Sequence, residues 1–158
     1  MRLNKCIYNK KMNTYSSVDC KRYPLDLKLL PYLSKYNNGF YVEAGANDGI
    51  IQSNTMLLEK EYGWKGLLIE PSPKAYEGCR QNRSSNNIII NCALVSSDNM
   101  KSVKGDFDGI LMASINGERQ SRKDVNIEVP AYTLTKIVED NNISEIDFMS
   151  LDVEGFEL

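Results

Sequence analysis

Apolar residues fall in short runs separated by turn-forming residues, and the sharpest run is Phe40 to Ala44. FYVEA reads as a buried strand that passes directly into Gly45, Ala46, Asn47, Asp48 and Gly49, a glycine-bounded turn. Ser53 is placed to cap a helix over SNTMLLEKEYG, with Gly63 as its stop. A second apolar run, Gly66 to Glu70, ends in an acid and is broken by Pro71. Ser72 and Pro73 then supply an N-cap and a first-turn proline for a helix reaching about Gln81. Ile88 to Ala93, IIINCA, predicts a third buried strand.

The flanks are less regular. Residues 1 to 23 are polar and lack a period, which predicts a loosely ordered lead-in ahead of one domain over 24–158. Leu29, Leu30, Leu33 and Tyr36 have helical spacing, with a break or a helix start expected near Pro31. Between Ser96 and Pro130 turn residues cluster around short alternating pieces, the pattern of a hairpin or an extended insertion. Thr133 can cap TLTKIVEDNN, and Ile146 to Val153 reads as a fourth strand. Strands alternating with helices predict an α/β domain with a parallel sheet and helices on both faces.

Composition narrows the function classes. The 158 residues hold 42% hydrophobic and 25% charged residues, values that suit a folded domain. The net charge is −2, so electrostatics gives no case for nucleic acid or a membrane surface as partner. No apolar run approaches the roughly 18 residues of a spanning helix, and the N-terminus lacks a signal-type apolar region. A cytoplasmic location is the expectation. Cys6, Cys20, Cys79 and Cys92 form no C-x-x-C pair, and no metal site is expected; Cys92 reads as buried. The chain has no histidine, so acid–base work falls to carboxylates, Lys, Tyr or Cys.

Three places carry candidate chemistry. Gly45 and Gly49 allow a tight turn and close ligand approach, ahead of a helix whose N-terminal end is positive. The spacing G-x-x-x-G differs from the dinucleotide G-x-G-x-x-G, and Glu43 beside the turn repels phosphate but attracts an ammonium or sulfonium ion. A strand–turn–helix with a solvated Glu43 and no ligand leaves the same local pattern. Glu70, about 20 residues past the glycine turn at the tip of the second strand, can accept both hydroxyls of a ribose; an exposed acid before Pro71 is the plainer alternative. Asp152 and Glu154 leave the fourth strand at the same sheet edge. They can hold a hydroxyl, act as base or join a hard-metal site, or else be two solvated acids at a strand exit. Trp64, Met56 and Met112 read as packing residues.

Taken together, YVEAGANDG, SNTMLLEKEYGWKGLLIEPSPKAYEGCRQNR, IIINCALVSS and IDFMSLDVEGFE resemble the FkbM family of S-adenosylmethionine-dependent methyltransferases, in order and spacing, over about residues 25 to 158. The resemblance implies a Rossmann-like class I methyltransferase sheet, mostly parallel, acting on a hydroxyl of a small molecule or sugar. It implies that Glu43, Gly45, Ala46, Asn47 and Gly49 hold the methionine part of the cofactor. Glu70 matches the ribose-binding acid, and Asn91 to Ala93 lie where the adenine edge is lined. Asp48, Asn54 and Pro71 are counted with these cofactor-binding positions. Asp152 and Glu154 match the DVEG segment near the transferred methyl and are the candidate bases.

The resemblance also implies strands beyond the fourth central one, so the sheet is expected to be truncated at Ile146 to Val153, with a β-hairpin-type insertion before it. An open edge there predicts a second copy or a partner chain covering it. Two alternatives remain at this point: a non-catalytic remnant that binds a nucleoside cofactor or a partner chain, and a nicotinamide-dependent oxidoreductase, which the glycine spacing disfavours.

Overall fold

Phe40–Ala44 forms the strand on which the rest is laid. The computed structural model describes residues 13–18, 23–105, 107 and 127–152. In chain order the elements are α1 (Leu25–Leu33), β1 (Phe40–Ala44), α2 (Met56–Tyr62), β2 (Lys65–Ile69), α3 (Pro73–Asn82), β3 (Ile88–Ile90), β4 (Ala93–Leu94), β5 (Ser102–Gly105), β6 (Ile127–Tyr132), α4 (Leu134–Asp140) and β7 (Phe148–Leu151). β1 pairs in parallel with β2, from Phe40 opposite Lys65 to Ala44 opposite Ile69. On its other side it pairs in parallel with β7, from Tyr41 opposite Phe148 to Ala44 opposite Leu151. The central sheet has the order β3-β2-β1-β7. The expected parallel α/β sheet with four central strands is therefore present.

A strand buried on both faces needs apolar side chains in both directions, which is why β1 is a run rather than an alternation. Tyr41 faces α1, α2 and α3, packing with Leu30, Leu33, Leu57, Leu58, Trp64 and Cys79. Val42 and Ala44 face the other way, toward Cys92 and Ile137 of α4. Full burial of a Val or Leu side chain contributes about 1.5–3 kcal/mol, so these two layers supply most of the drive to form the sheet. Trp64 lies in the first layer and donates Nε1–H to the Tyr36 carbonyl at 3.0 Å.

Several boundaries differ from expectation. IIINCA does not run on as one strand. β3 stops at Ile90, is only half-buried, and the chain leaves the sheet at Asn91. Ala93 and Leu94 then join a second sheet of order β4-β6-β5, in which β5 pairs antiparallel with β6 from Ser102 opposite Pro130 to Gly105 opposite Ile127. That pairing is the hairpin-type element read from the sequence. Its connection at 108–126, with Met112, lies outside the described residues. α1 runs through Pro31 and ends at Leu33. The ring is exposed and sits in the last turn, where one missing N–H breaks little of the helix. The strand expected from Ile146 begins at Phe148.

The lead-in is also more ordered than its polarity suggests, at least over 13–18. Asp26 is buried and accepts from the Tyr15 backbone N–H at 2.8 Å, while Ser16 Oγ accepts from Asp26 N–H at 2.9 Å. Ser16 also bridges Gln52. Among the described residues β7 has no strand on its outer side, and Ile146, Met149 and Leu151 are between 37% and 39% exposed there. No described helix is long and apolar enough to cross a membrane.

Candidate functional site

All four central strands are parallel, so their carboxyl ends share one edge. The segment after β1 turns there with positive φ at Gly45 (80°), Asn47 (50°), Gly49 (79°) and Gln52 (61°). Gly45 is forced by a close approach as well as by its φ: a Cβ on it would lie 2.0 Å from the Asp152 carbonyl oxygen. Gly45 and Ala46 donate their N–H groups to the Ile69 carbonyl at 2.9 and 3.1 Å. Asp48 shapes the turn from within, its Oδ1 accepting from Ile50 and Ile51 N–H at 2.9 and 2.8 Å.

Glu70 closes the edge from the second strand. Its side chain is not the exposed acid of the plainer reading, since the residue is 6% exposed. Oε2 accepts from Asn47 N–H at 2.7 Å and Oε1 from Ser72 N–H at 2.8 Å. Burial pushes the Glu70 carboxyl above the usual glutamate range, against the pull of those two N–H groups. Asn91 donates Nδ2–H to the carbonyls of Glu70 and Pro71 at 2.8 and 2.9 Å. The segments after β1, β2 and β3 are thus stitched together by one carboxylate and one amide. Ala93, two residues on, is buried with Val103, Phe107, Val129 and Ala131 in the second sheet.

Below the turn lies a buried polar cluster that the sequence does not announce. Read alone, the sequence leaves Glu43 open beside the turn, as a solvated acid or a carboxylate free to meet a cation. In the structure it is 3% exposed. It accepts from Ser53 Oγ–H, Thr55 Oγ1–H (2.6 Å) and Asn54 N–H (2.7 Å), and lies 3.4 Å from Arg83 Nη1. The charge is met internally, so Glu43 bears on the turn chiefly through Asn54. Ser53 Oγ also accepts from Met56 N–H at 3.0 Å, so it does cap α2, although Thr55 occupies the N-cap position.

Arg83, at the end of α3, has a side chain with 0% exposure. Its Nε donates to Glu59 Oε2 at 2.7 Å. Nη1 donates to the Gly49 carbonyl at 3.0 Å and Ser53 Oγ at 3.1 Å, and Nη2 to Tyr41 Oη at 2.7 Å and Thr55 Oγ1 at 2.9 Å. The only sequence signal for such a partner is Glu43 itself: a carboxylate in an apolar strand needs a buried cation, but nothing says which. In the sequence Arg83 lies just past the expected end of the helix and carries no signal of its own.

On the outer side of the turn, Asn54 Nδ2–H donates to Ser150 Oγ on β7 at 2.9 Å. Asn54 Oδ1 is buried without a hydrogen-bond partner among the described residues, a state that calls for a donor. Asp152 follows β7, is exposed, and donates its N–H to the Ala44 carbonyl at 3.1 Å. Glu154 lies outside the described residues. Cys79 and Cys92 are both buried, and burial pushes each thiol up to about 12, so neither is a thiolate at neutral pH.

The sheet edge therefore gathers Gly45 to Gly49, Asn54, Glu70, Pro71, Asn91 and Asp152, with Glu43 beneath them. Residues 43–158 match a family described as the methyltransferase FkbM domain. No curated protein and no solved structure matches the chain. The family match begins in β1 and takes in the glycine turn, the Glu70 clasp and β7, and it spans most of the 158 residues. The chain belongs to the FkbM methyltransferase family.

Proposed function

We propose that this chain binds S-adenosylmethionine across the carboxyl edge of a Rossmann-like sheet and transfers the methyl to a hydroxyl of a small molecule or sugar. Membership in the family supports S-adenosylmethionine-dependent methyl transfer. The observation that carries the placement is the clasp of Glu70 and Asn91 over the glycine turn. The residues present fit the cofactor. Each Glu70 oxygen takes one N–H and keeps a lone pair for a diol. Asn54 Oδ1, without a partner among the described residues, can accept from an ammonium group. A buried acid suits a sulfonium cation better than a pyrophosphate.

The bound cofactor supplies an activated methyl and a sulfur leaving group. The chain's own part is to align an acceptor oxygen with that methyl, exclude water and take the hydroxyl proton. Asp152, beside Gly45 at the open end of β7, and Glu154 are the groups proposed for the proton. Asp152→Asn together with Glu154→Gln is expected to lower turnover at least about 100-fold while leaving cofactor affinity within twofold. Unchanged turnover in the double variant removes this assignment.

The reading as a whole is tested by calorimetry with S-adenosylhomocysteine. One saturable site is expected. Glu70→Ala should weaken it by roughly 10–100-fold, the loss of charged hydrogen bonds of about 1.5–3 kcal/mol. No saturable binding, or tighter binding of NAD, sinks the proposal. Binding without methyl transfer to any acceptor points instead to a cofactor-binding module.

A further inference from the structure

The segment Gly45–Gln52 is strained, and something must hold it. Of its four residues with positive φ, Asn47 and Gln52 carry side chains, and Gln52 has no special tolerance for that conformation. Such backbone persists only where the surroundings over-determine it. At the start of the segment the restraint is plain: the Ile69 carbonyl holds Gly45 and Ala46, and Glu70 holds Asn47. At the end Arg83 acts together with Asp48 Oδ1, which accepts from Ile50 and Ile51 N–H, and with the bridge from Ser16 to Gln52. A single nitrogen, Nη1, donates to the Gly49 carbonyl at 3.0 Å and to Ser53 Oγ at 3.1 Å, bracketing Ile50, Ile51 and Gln52. Nη2 reaches Thr55 Oγ1 at 2.9 Å, and Glu43, beside the guanidinium, fixes Asn54 N–H at 2.7 Å. The guanidinium is itself anchored from behind by Glu59 at 2.7 Å and Tyr41 at 2.7 Å.

We propose that Arg83 is a positioning residue for the cofactor loop: its guanidinium holds Gly49 to Thr55 in the shape that presents Asn54 to the cofactor, without touching the cofactor itself. This rests on reading the site as one for S-adenosylmethionine. The side chain is fully enclosed, so it acts only through the backbone and hydroxyls it binds. Lysine keeps the charge but offers three donors on one atom, and it cannot span the Gly49–Ser53 side and the Glu59–Tyr41 side together.

The test uses the full chain with Arg83→Lys, the milder Thr55→Val, and Ile137→Val. Ile137 is buried on the opposite face of the sheet and serves as a control for general loss of stability. In hydrogen exchange of the free protein, amides 50 to 56 are expected to exchange at least ten-fold faster in Arg83→Lys, and less so in Thr55→Val. Those of β1 and β2 should keep wild-type protection. In calorimetry the dissociation constant for S-adenosylhomocysteine should rise at least ten-fold in Arg83→Lys, by a smaller factor in Thr55→Val, and stay unchanged in Ile137→Val. Uniformly faster exchange across sheet and loop, or unchanged affinity in both cluster variants, overturns the proposal. If Arg83→Lys does not fold, Thr55→Val decides by the same criteria. If the wild type binds no S-adenosylhomocysteine but exchange quickens only in the loop, the cofactor reading fails and the holding of the loop by Arg83 stands.

Discussion

Arg83→Met should destabilise the fold by about 3–5 kcal/mol at neutral pH, the usual loss when one partner of a buried charge cluster is removed. Met fills a similar volume, so the loss is electrostatic rather than a cavity effect. Glu43 and Glu59 would be left facing each other's neighbourhood with hydroxyls and amides but no cation. The pH dependence separates this account from simple misfit. Burial opposes the Glu59 charge, but Arg83, with the Ser84 N–H and Tyr41, outweighs it and holds the carboxyl below its ordinary value of 4.5. A depressed acid stabilises the fold above its unfolded pKa, and that contribution is lost as pH falls through the folded value. In Arg83→Met burial is opposed only by the Ser84 N–H and Tyr41, so the Glu59 pKa rises and its contribution at neutral pH falls. Urea unfolding at pH 7 and pH 4 should therefore show the gap between wild type and variant shrinking in acid. A gap that stays constant would mean the Glu59 carboxylate is not what the arginine serves.

Gly45→Ala should be the most damaging change of one methyl group at the sheet edge. Two effects act at once. A left-handed φ of 80° is disfavoured for any residue with a Cβ, by about 1–2 kcal/mol. The new methyl would also meet the Asp152 carbonyl oxygen at 2.0 Å, a main-chain atom whose residue is held beside the turn by its N–H on the Ala44 carbonyl, so it cannot swing aside as a side-chain end could. With overpacking added, the expected loss is about 3 kcal/mol, together with loss of S-adenosylhomocysteine binding. Gly63→Ala provides the comparison. It shares a positive φ of 69°, but its nearest neighbour is the Asn38 side-chain oxygen at 3.0 Å, so only the conformational part should remain. Thermal unfolding of both variants measures the difference. Equal losses would show that the contact with Asp152 is unimportant.

How far the sequence disclosed this molecule depends on the range of the forces involved. β1, the glycine turn and α3 are legible because their signals are local: an apolar run, paired glycines, and Pro73 preceded by Ser72, whose Oγ accepts from Ala75 N–H at 3.2 Å. The break in IIINCA was not, because it depends on Asn91 binding carbonyls that lie 20 and 21 positions earlier in the chain. The second sheet was half legible: turn residues marked a hairpin-type segment, but the parallel pairing of Ala93 with Ala131 has no local signature. At the site, Glu70 was found through its distance from the glycine turn, whereas Arg83 was invisible. Among the described residues its side chain makes six hydrogen bonds, to residues 24 to 42 positions away.

The guanidinium cluster beneath the turn also limits how this sequence can drift. Tyr41, Glu43, Ser53, Thr55, Glu59 and Arg83 share donors and acceptors so closely that one replacement leaves several others unsatisfied. An apolar substitute would be tolerated only if most of the group changed together. Residues spread over some forty positions thus behave, for inheritance, as one compound position.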